Sequence, residues 1–317
     1  MVTVGIDLGG TNVQVVVMAE DDSRVGWSKM KIPLQGDRNS VLEVLEAAVH
    51  EATDDAGVDL DDVSGVGLGT PGVVIGGTVG GATNVPGWYE RFSLAEVFSN
   101  QVGRPVRIAN DVTAAAVAEH RLGAGRGCDH VLVVFAGTGV GAGLVLNGQP
   151  YEGAVGGAGE FGHTVIERGG AVCPCGRRGC IEAYAGRRAM AQAAERAVAA
   201  GRSTILFDIQ DEQGKKRPTS GVFHEAYARG DELVADLLDD ATSALGVGIA
   251  SAVNLLDVEV VVLGGGLADK LGERFLTTVD AAMRPHLFLQ PPRVRLVSAE
   301  LGDETGALGA ALLARDA

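Results

Sequence analysis

Basic charge and cysteine are both scarce in this chain of 317 residues, and each scarcity excludes something. Lysine and arginine together number 26 against 41 acidic residues, a formal net charge of −15. A phosphate backbone would be repelled by such a surface unless a basic face were segregated, and no basic cluster occurs, so no nucleic-acid partner is expected. The basic residues are mostly arginine, and acidic pairs such as Asp54-Asp55 and Asp61-Asp62 recur. A GC-rich genome and mild salt adaptation would each produce that bias. No apolar run reaches the ~18 residues that a spanning helix needs, and the opening MVTVGIDLGG lacks a signal-peptide pattern. The expectation is a cytoplasmic protein with no membrane partner. The P-loop pattern G-x-x-x-x-G-K-[ST] is absent, which removes that chemistry. What remains is ordinary for a globular protein: 46% hydrophobic and 21% charged residues, over a length that fits two domains.

The four cysteines are unevenly placed: Cys128 stands alone, while Cys173, Cys175 and Cys180 fall within eight residues. Clustered thiols in a chain expected in the cytoplasm point to metal rather than to disulfides. With His163 they supply one imidazole and three thiolates, a closed tetrahedral zinc set whose role is structural. The alternative is a group of reduced, buried cysteines beside a solvated histidine, but C-x-C-G-x-x-G-C places the thiols among turn-making glycines that core packing would not require. Glu160 and Glu182 bracket the cluster. Zinc on one ring nitrogen of His163 would leave the other to hydrogen-bond a ligand.

Two stretches share one pattern, VTVGIDLGGTNVQVVV from Val2 and VLVVFAGTGVGAGLVL from Val131. Each reads as strand, glycine turn and strand, so an internal duplication is expected. Gly137, Gly139 and Ala142 formally match the dinucleotide pattern G-x-G-x-x-A, but that motif must open a helix, and GLVLNG continues as a strand. A glycine hairpin can still cradle phosphate through converging N–H groups. Gly9, Gly10, Thr11 and Asn12 form the first such turn, and Gly137, Thr138 and Gly139 the second. Both could equally be plain hairpin turns, a reading that their recurrence weakens. Asp7 precedes the first turn, where a carboxylate either holds Mg²⁺ or caps the turn. Gly264, Gly265 and Gly266 follow the buried strand VEVVVL and would let a nucleoside lie against the backbone.

Helical patterns run over 40–56, with Ser40 and Glu43 spaced as a capping box and Gly57 as the stop, over 181–200, and over 231–256. The polar stretch from Asp208 to Gly221 reads as a surface insertion between helices. Asn110-Asp111 precedes the helix TAAAVAEHRLG. Asp111 is then either an N-cap or a general base for a hydroxyl that attacks a phosphoryl group.

These residues resemble the ROK family of repressors and sugar kinases, within the actin-like, ribonuclease-H-like ATPases. GIDLGGTN is similar to that family's first phosphate motif and GTGVGAG to its second. E-F-G-H with C-P-C-G-R-R-G-C-I-E resembles its double signature, and GDETGALGAALLA its C-terminal helix. The resemblance implies a two-lobed α/β fold with duplicated β-hairpin phosphate motifs, residues 1–111 with about 303–317 forming a small lobe and 112–302 a large one. It implies an ATP-dependent hexose kinase, closest in character to zinc-containing bacterial glucokinases, with Mg²⁺ accompanying ATP, structural zinc, and a homodimer or homotetramer. Asp111 is implied as the base, Asn84, Asn110, Glu160, His163 and Glu182 as groups that bond the sugar hydroxyls, and Gly72 as a backbone contact to it. Mannose, fructose or N-acetylmannosamine as substrate, and polyphosphate as donor, stay open. Ala109 and Thr113 depart from the family's frequent Glu and Asn, which loosens what is implied about the surroundings of the base. A sugar-responsive repressor is the rival from another class. Its helix-turn-helix extension finds no room ahead of the first phosphate motif, and the acidic charge disfavours DNA.

Overall fold

The structure is a computed structural model that describes residues 1–33 and 35–316; Ala317, the last residue of the expected small lobe, lies outside them. In chain order its main elements are β1 (Val2–Leu8), β2 (Asn12–Met18), β3 (Arg24–Lys31), α1 (Arg38–Ala56), β4 (Val63–Thr70), β5 (Val73–Ile75), β6 (Thr78–Gly80), α2 (Leu94–Val102), β7 (Val106–Asn110) and α3 (Asp111–Arg121). The second half continues with β8 (Val131–Ala136), β9 (Val140–Leu146), β10 (Gln149–Pro150), α4 (Glu182–Ala185), α5 (Arg187–Ala199), α6 (Leu206–Glu212), α7 (Ser220–Ala228), α8 (Glu232–Leu256), β11 (Val260–Gly264), α9 (Gly266–Met283), β12 (Arg295–Ser298) and α10 (Thr305–Arg315).

The duplication expected from the two glycine hairpins is present at the level of whole sheets. One sheet runs β3-β2-β1-β4-β7 and the other β10-β9-β8-β11-β12. In the first, β1 pairs antiparallel with β2 and parallel with β4, which pairs parallel with β7. In the second, β11 pairs parallel with both β8 and β12, and β9 pairs antiparallel with β10. This doubled α/β topology is that of the actin-like fold.

The described residues group into two compact units, Met1–Asp129 with Gly143–Gly159 and Glu300–Ala317, and His130–Ala142 with Glu160–Ala299. Helix α3, placed by the sequence with 112–302, groups with the first unit because it packs on α10. That packing depends on missing side chains. A methyl group on Gly5 would lie 2.0 Å from the Ala307 carbonyl oxygen, on Gly67 1.8 Å from that of Ala310, and on Gly309 1.7 Å from that of Ala114. Helix α10 therefore meets β1, β4 and α3 at backbone distance, and Ala307, Ala310 and Ala311 are fully buried.

Three local readings are corrected. The capping box of α1 is Asp37 with Ser40, not Ser40 with Glu43, and the helix starts at Arg38; Gly57 does end it, in the left-handed conformation. The helix expected over 181–200 is broken at Gly186, whose ψ of 125° is extended. The break lets the N–H groups of Arg187 and Arg188 bond the carbonyls of Gly137 and Thr138, each at 3.1 Å. The stretch from Asp208 to Gly221 is partly helical, because Leu206 and Ile209 anchor α6 in the core.

Gly309→Ala is expected to destabilise the protein by at least about 3 kcal/mol, since the atoms its methyl group would meet are the backbone of Ala114 and cannot yield. Gly221→Ala in α7, where the added methyl group would lie 3.7 Å from the Thr219 hydroxyl, is expected to be neutral or slightly stabilising. Thermal unfolding of the two variants checks this.

Candidate functional site

In the first unit, the turn between β1 and β2 closes with the Gly9 N–H donating to the Asn12 carbonyl at 2.9 Å. Gly10 leaves room for Asn84, whose amide nitrogen would lie 2.9 Å from a Cβ there. Register aligns Asp7 with Gln14 and Gln14 with Lys29, so these three form one row across β1, β2 and β3. With Gly9, Thr11, Asn12 and Asp303 they line a cavity of about 210 Å³. Lys29 and Asp303 were not singled out from the sequence, because only strand register and the approach of the segment before α10 bring them to the turn.

Asp7 is half-buried, and burial pushes its carboxyl up to about 7, with the Asp111 carboxylate adding to the rise and Lys29 opposing it. A methyl group on Gly306 would lie 2.7 Å from that carboxyl carbon, so the start of α10 makes room for it. Two acids beside a glycine turn with one lysine form a set suited to a divalent cation and phosphate.

Asp111 is the first residue of α3, but the N-cap is Asn110, whose Oδ1 accepts from the N–H groups of Val112 at 3.0 Å and Thr113 at 3.4 Å. The other end of that amide donates to the Gly72 carbonyl at 3.2 Å. Gly72 has φ +97°, a conformation that favours glycine. Asn110 thus ties the Gly72 turn to the start of the helix. The Asp111 Oδ1 accepts from the Val112 N–H at 2.9 Å, which orients the carboxylate.

In the second unit, His163, Cys173, Cys175 and Cys180 bring their ligand atoms within 4.8 Å of one another. The Cys175 and Cys180 sulfurs are 3.8 Å apart, and the Cys173 sulfur is 3.7 Å from His163 Nδ1. A tetrahedron with Zn–S bonds of about 2.3 Å has S···S edges of about 3.8 Å, so the set has the dimensions of a zinc site. Burial pushes the Cys173 thiol up to about 12 and raises that of Cys180, so without a cation these sulfurs stay protonated. The other ring nitrogen of His163, Nε2, lies 3.9 Å from Glu160 Oε2, and Glu160 is exposed.

Glu182 links this cluster to the second glycine turn. Its Oε2 accepts from the Val140 N–H at 2.9 Å, and its Oε1 is 4.0 Å from the Cys173 sulfur. Gly139 allows the approach, since a Cβ there would lie 2.3 Å from Oε2. The carbonyls of Gly137 and Thr138 face α5. In a trans peptide the N–H points opposite to the C=O, so the amides of Thr138 and Gly139 face away from that helix, as an anion-binding turn requires. Gly264 ends β11, and Gly265, at φ +91°, is the N-cap of α9, where a Cβ would meet the Ala136 backbone at 2.7 Å. Gly266 begins α9. No helix among the described residues is long and apolar enough to cross a membrane.

Asp7 generates a pH prediction. Its folded-state value near 7 exceeds the ordinary 3.8, so the stability that the neutral acid contributes is full below about pH 4 and is lost as pH rises through about 7. In nucleotide-free protein, Asp7→Asn is expected to raise the melting temperature at pH 8 relative to wild type, by the equivalent of about 1–3 kcal/mol, and to leave it unchanged at pH 4. Melting curves at the two pH values check it.

Comparison with known proteins gives this geometry a context. The ROK family matches residues 3–317. A glucokinase of Streptomyces coelicolor is 31% identical over 321 residues, covering 99% of this chain and 98% of its own. An N-acetylgalactosamine kinase of Shewanella is 31% identical over 320 residues, covering 98% and 95%. The crystal structure of a ROK family glucokinase from Streptomyces griseus in complex with glucose and AMPPNP superposes with a TM-score of 0.83 at 31% identity, covering 100% of both chains. With a family match over nearly all of its length and relatives above 30% identity across it, the chain belongs to the ROK family.

Proposed function

We propose that the protein transfers the γ-phosphoryl group of ATP to the 6-hydroxyl of a hexose, with glucose the preferred substrate and Asp111 the general base. The observation that carries this reading is a glycine turn, Asp7 and Lys29 around one cavity, with the oriented Asp111 carboxylate at the start of α3 near enough to raise Asp7. Phosphoryl transfer needs little covalent chemistry from a protein; it needs the donor held, the charge matched and the hydroxyl positioned. Asp111 takes the hydroxyl proton as the oxygen attacks phosphorus, and its fixed orientation supplies the alignment. The turn Gly9–Asn12 contacts the transferred phosphate, the turn Gly137–Gly139 the remaining phosphates, and Gly264–Gly266 the nucleoside. Asp7, with Asp303, would hold the Mg²⁺ that accompanies ATP, and the metal supplies charge neutralisation on the phosphate chain.

Asn84, Asn110, Glu160, His163 and Glu182 are read as donors and acceptors for the sugar hydroxyls, with Gly72 contributing backbone. Zinc on His163 Nδ1 and the three sulfurs would be structural, since four protein ligands leave no open position. Metal at Nδ1 leaves Nε2 toward Glu160, which supports a shared role in scaffold and recognition. The kinship with an N-acetylgalactosamine kinase keeps other hexoses as alternatives to be tested, and polyphosphate is the alternative donor.

A coupled assay over glucose, mannose, fructose, N-acetylmannosamine and N-acetylgalactosamine, with ATP and polyphosphate as donors, is expected to give the highest kcat/KM with glucose and ATP. Asp111→Asn is expected to lower kcat by about 10²–10⁴ with glucose affinity retained; turnover near wild type would remove Asp111 from the base role. Elemental analysis is expected to find one zinc per chain, lost in Cys175→Ser together with most glucose affinity. A fully active protein free of metal would contradict the zinc assignment.

A further inference from the structure

Arg187 begins α5 in the second unit, and its side chain is half-buried. Its Nη1 donates to the Ser220 hydroxyl at 3.0 Å and its Nη2 to the Thr138 hydroxyl at 2.9 Å. Neither partner carries charge. Among the described residues no carboxylate lies within ion-pair distance of this guanidinium, whereas Arg24, Arg104, Arg121, Arg202, Arg229, Arg284 and Arg315 all have one. In a chain with 41 acidic residues against 26 basic ones, leaving a half-buried cation uncompensated is costly unless something else neutralises it.

The position of the guanidinium says what that something is. Thr138 is the centre of the second glycine turn, whose amides face away from α5. Ser220 is buried at the start of α7 and would lie 2.8 Å from a Cβ on Gly266, and Arg187 Nη1 would lie 3.8 Å from the same point. The cation is therefore held by two hydroxyls between the second glycine turn and the start of α9, which no side chain caps. Hydroxyl partners fix the planar group without cancelling its charge, and a guanidinium so fixed matches two oxygens of a phosphate.

We propose that Arg187 binds the phosphate chain of the nucleotide donor, pairing with the oxygens of the phosphates nearer the nucleoside. This deepens the kinase reading and rests on it. The contact is made by ADP and ATP and is lacking in adenosine, so Arg187 sets the affinity for charged nucleotide and contributes little to the nucleoside. Its burial, which lowers its basicity with no anion to offset the shift, agrees with a site completed by a ligand.

Calorimetric titration of wild type, Arg187→Gln and Arg187→Lys with Mg·ATP, ADP, adenosine and glucose decides the matter. Arg187→Gln is expected to weaken ATP and ADP about 10- to 100-fold, to leave adenosine and glucose within twofold, and to flatten the salt dependence of ATP affinity. Arg187→Lys is expected to recover part of the loss. ATP affinity within twofold of wild type in Arg187→Gln would overturn the proposal. So would an equal loss for adenosine, which marks a merely structural role. Failure of the wild-type protein itself to bind or turn over ATP would be a different result, counting against the kinase reading.

Discussion

The contact on which the first unit depends is the backbone-to-backbone approach of helix α10 to strands β1 and β4 and helix α3. Gly5, Gly67 and Gly309 make it possible, because a single methyl group at any of them would overlap a carbonyl oxygen. Those elements carry the residues of the proposed chemistry at their ends. Asp7 lies near the end of β1, Asp111 begins α3, and Gly306 of α10 leaves the space that the Asp7 carboxyl occupies. The same approach places two acids close enough for each to feel the other, so packing has an electrostatic consequence. The raised Asp7 is a cost of that packing, which a bound cation would relieve.

The second unit repeats the sheet and supports its glycine turn differently. Two amides at the start of α5 hold the turn's carbonyls, and Glu182 receives the N–H of the residue that follows it. Because Glu182 also approaches Cys173, a metal at the cysteine cluster would stiffen the phosphate turn as well as the residues read as sugar ligands. The cysteine cluster and the second glycine turn are thereby linked through one carboxylate.

Much of this was legible in the chain because the chemistry is local. The hairpin turns, the Gly264–Gly266 triplet and the His163–cysteine set each lie in a short stretch, so a local pattern picks them out. Bonds that depend on distant segments were not legible. The family resemblance implies Asn110 as a sugar ligand, yet its amide also caps α3 and holds Gly72, a bond that only the approach of β4 to β7 creates. Lys29 and Arg187 carry no motif; strand register brings one to the first turn and a broken helix brings the other to the second. That break at Gly186 was hidden by an alanine-rich pattern, because a glycine costs a helix only about 1 kcal/mol and two bonds to the glycine turn outweigh the loss. The start of α1 was misplaced for a simpler reason: Asp37 and Ser40 compete with Ser40 and Glu43 for the same capping pattern.

The protein is an ATP-dependent sugar kinase of the ROK family, and the account of its chemistry comes down to one claim: the hydroxyl activated by Asp111 attacks phosphorus directly, with no phosphorylated side chain in between. The measurement that tests this most directly is the stereochemistry at phosphorus, using ATP made chiral at its γ-phosphoryl group with oxygen isotopes and ³¹P NMR of the sugar phosphate formed. A single in-line displacement predicts inversion of configuration. Retention would require two displacements through a phosphoenzyme and would contradict the account.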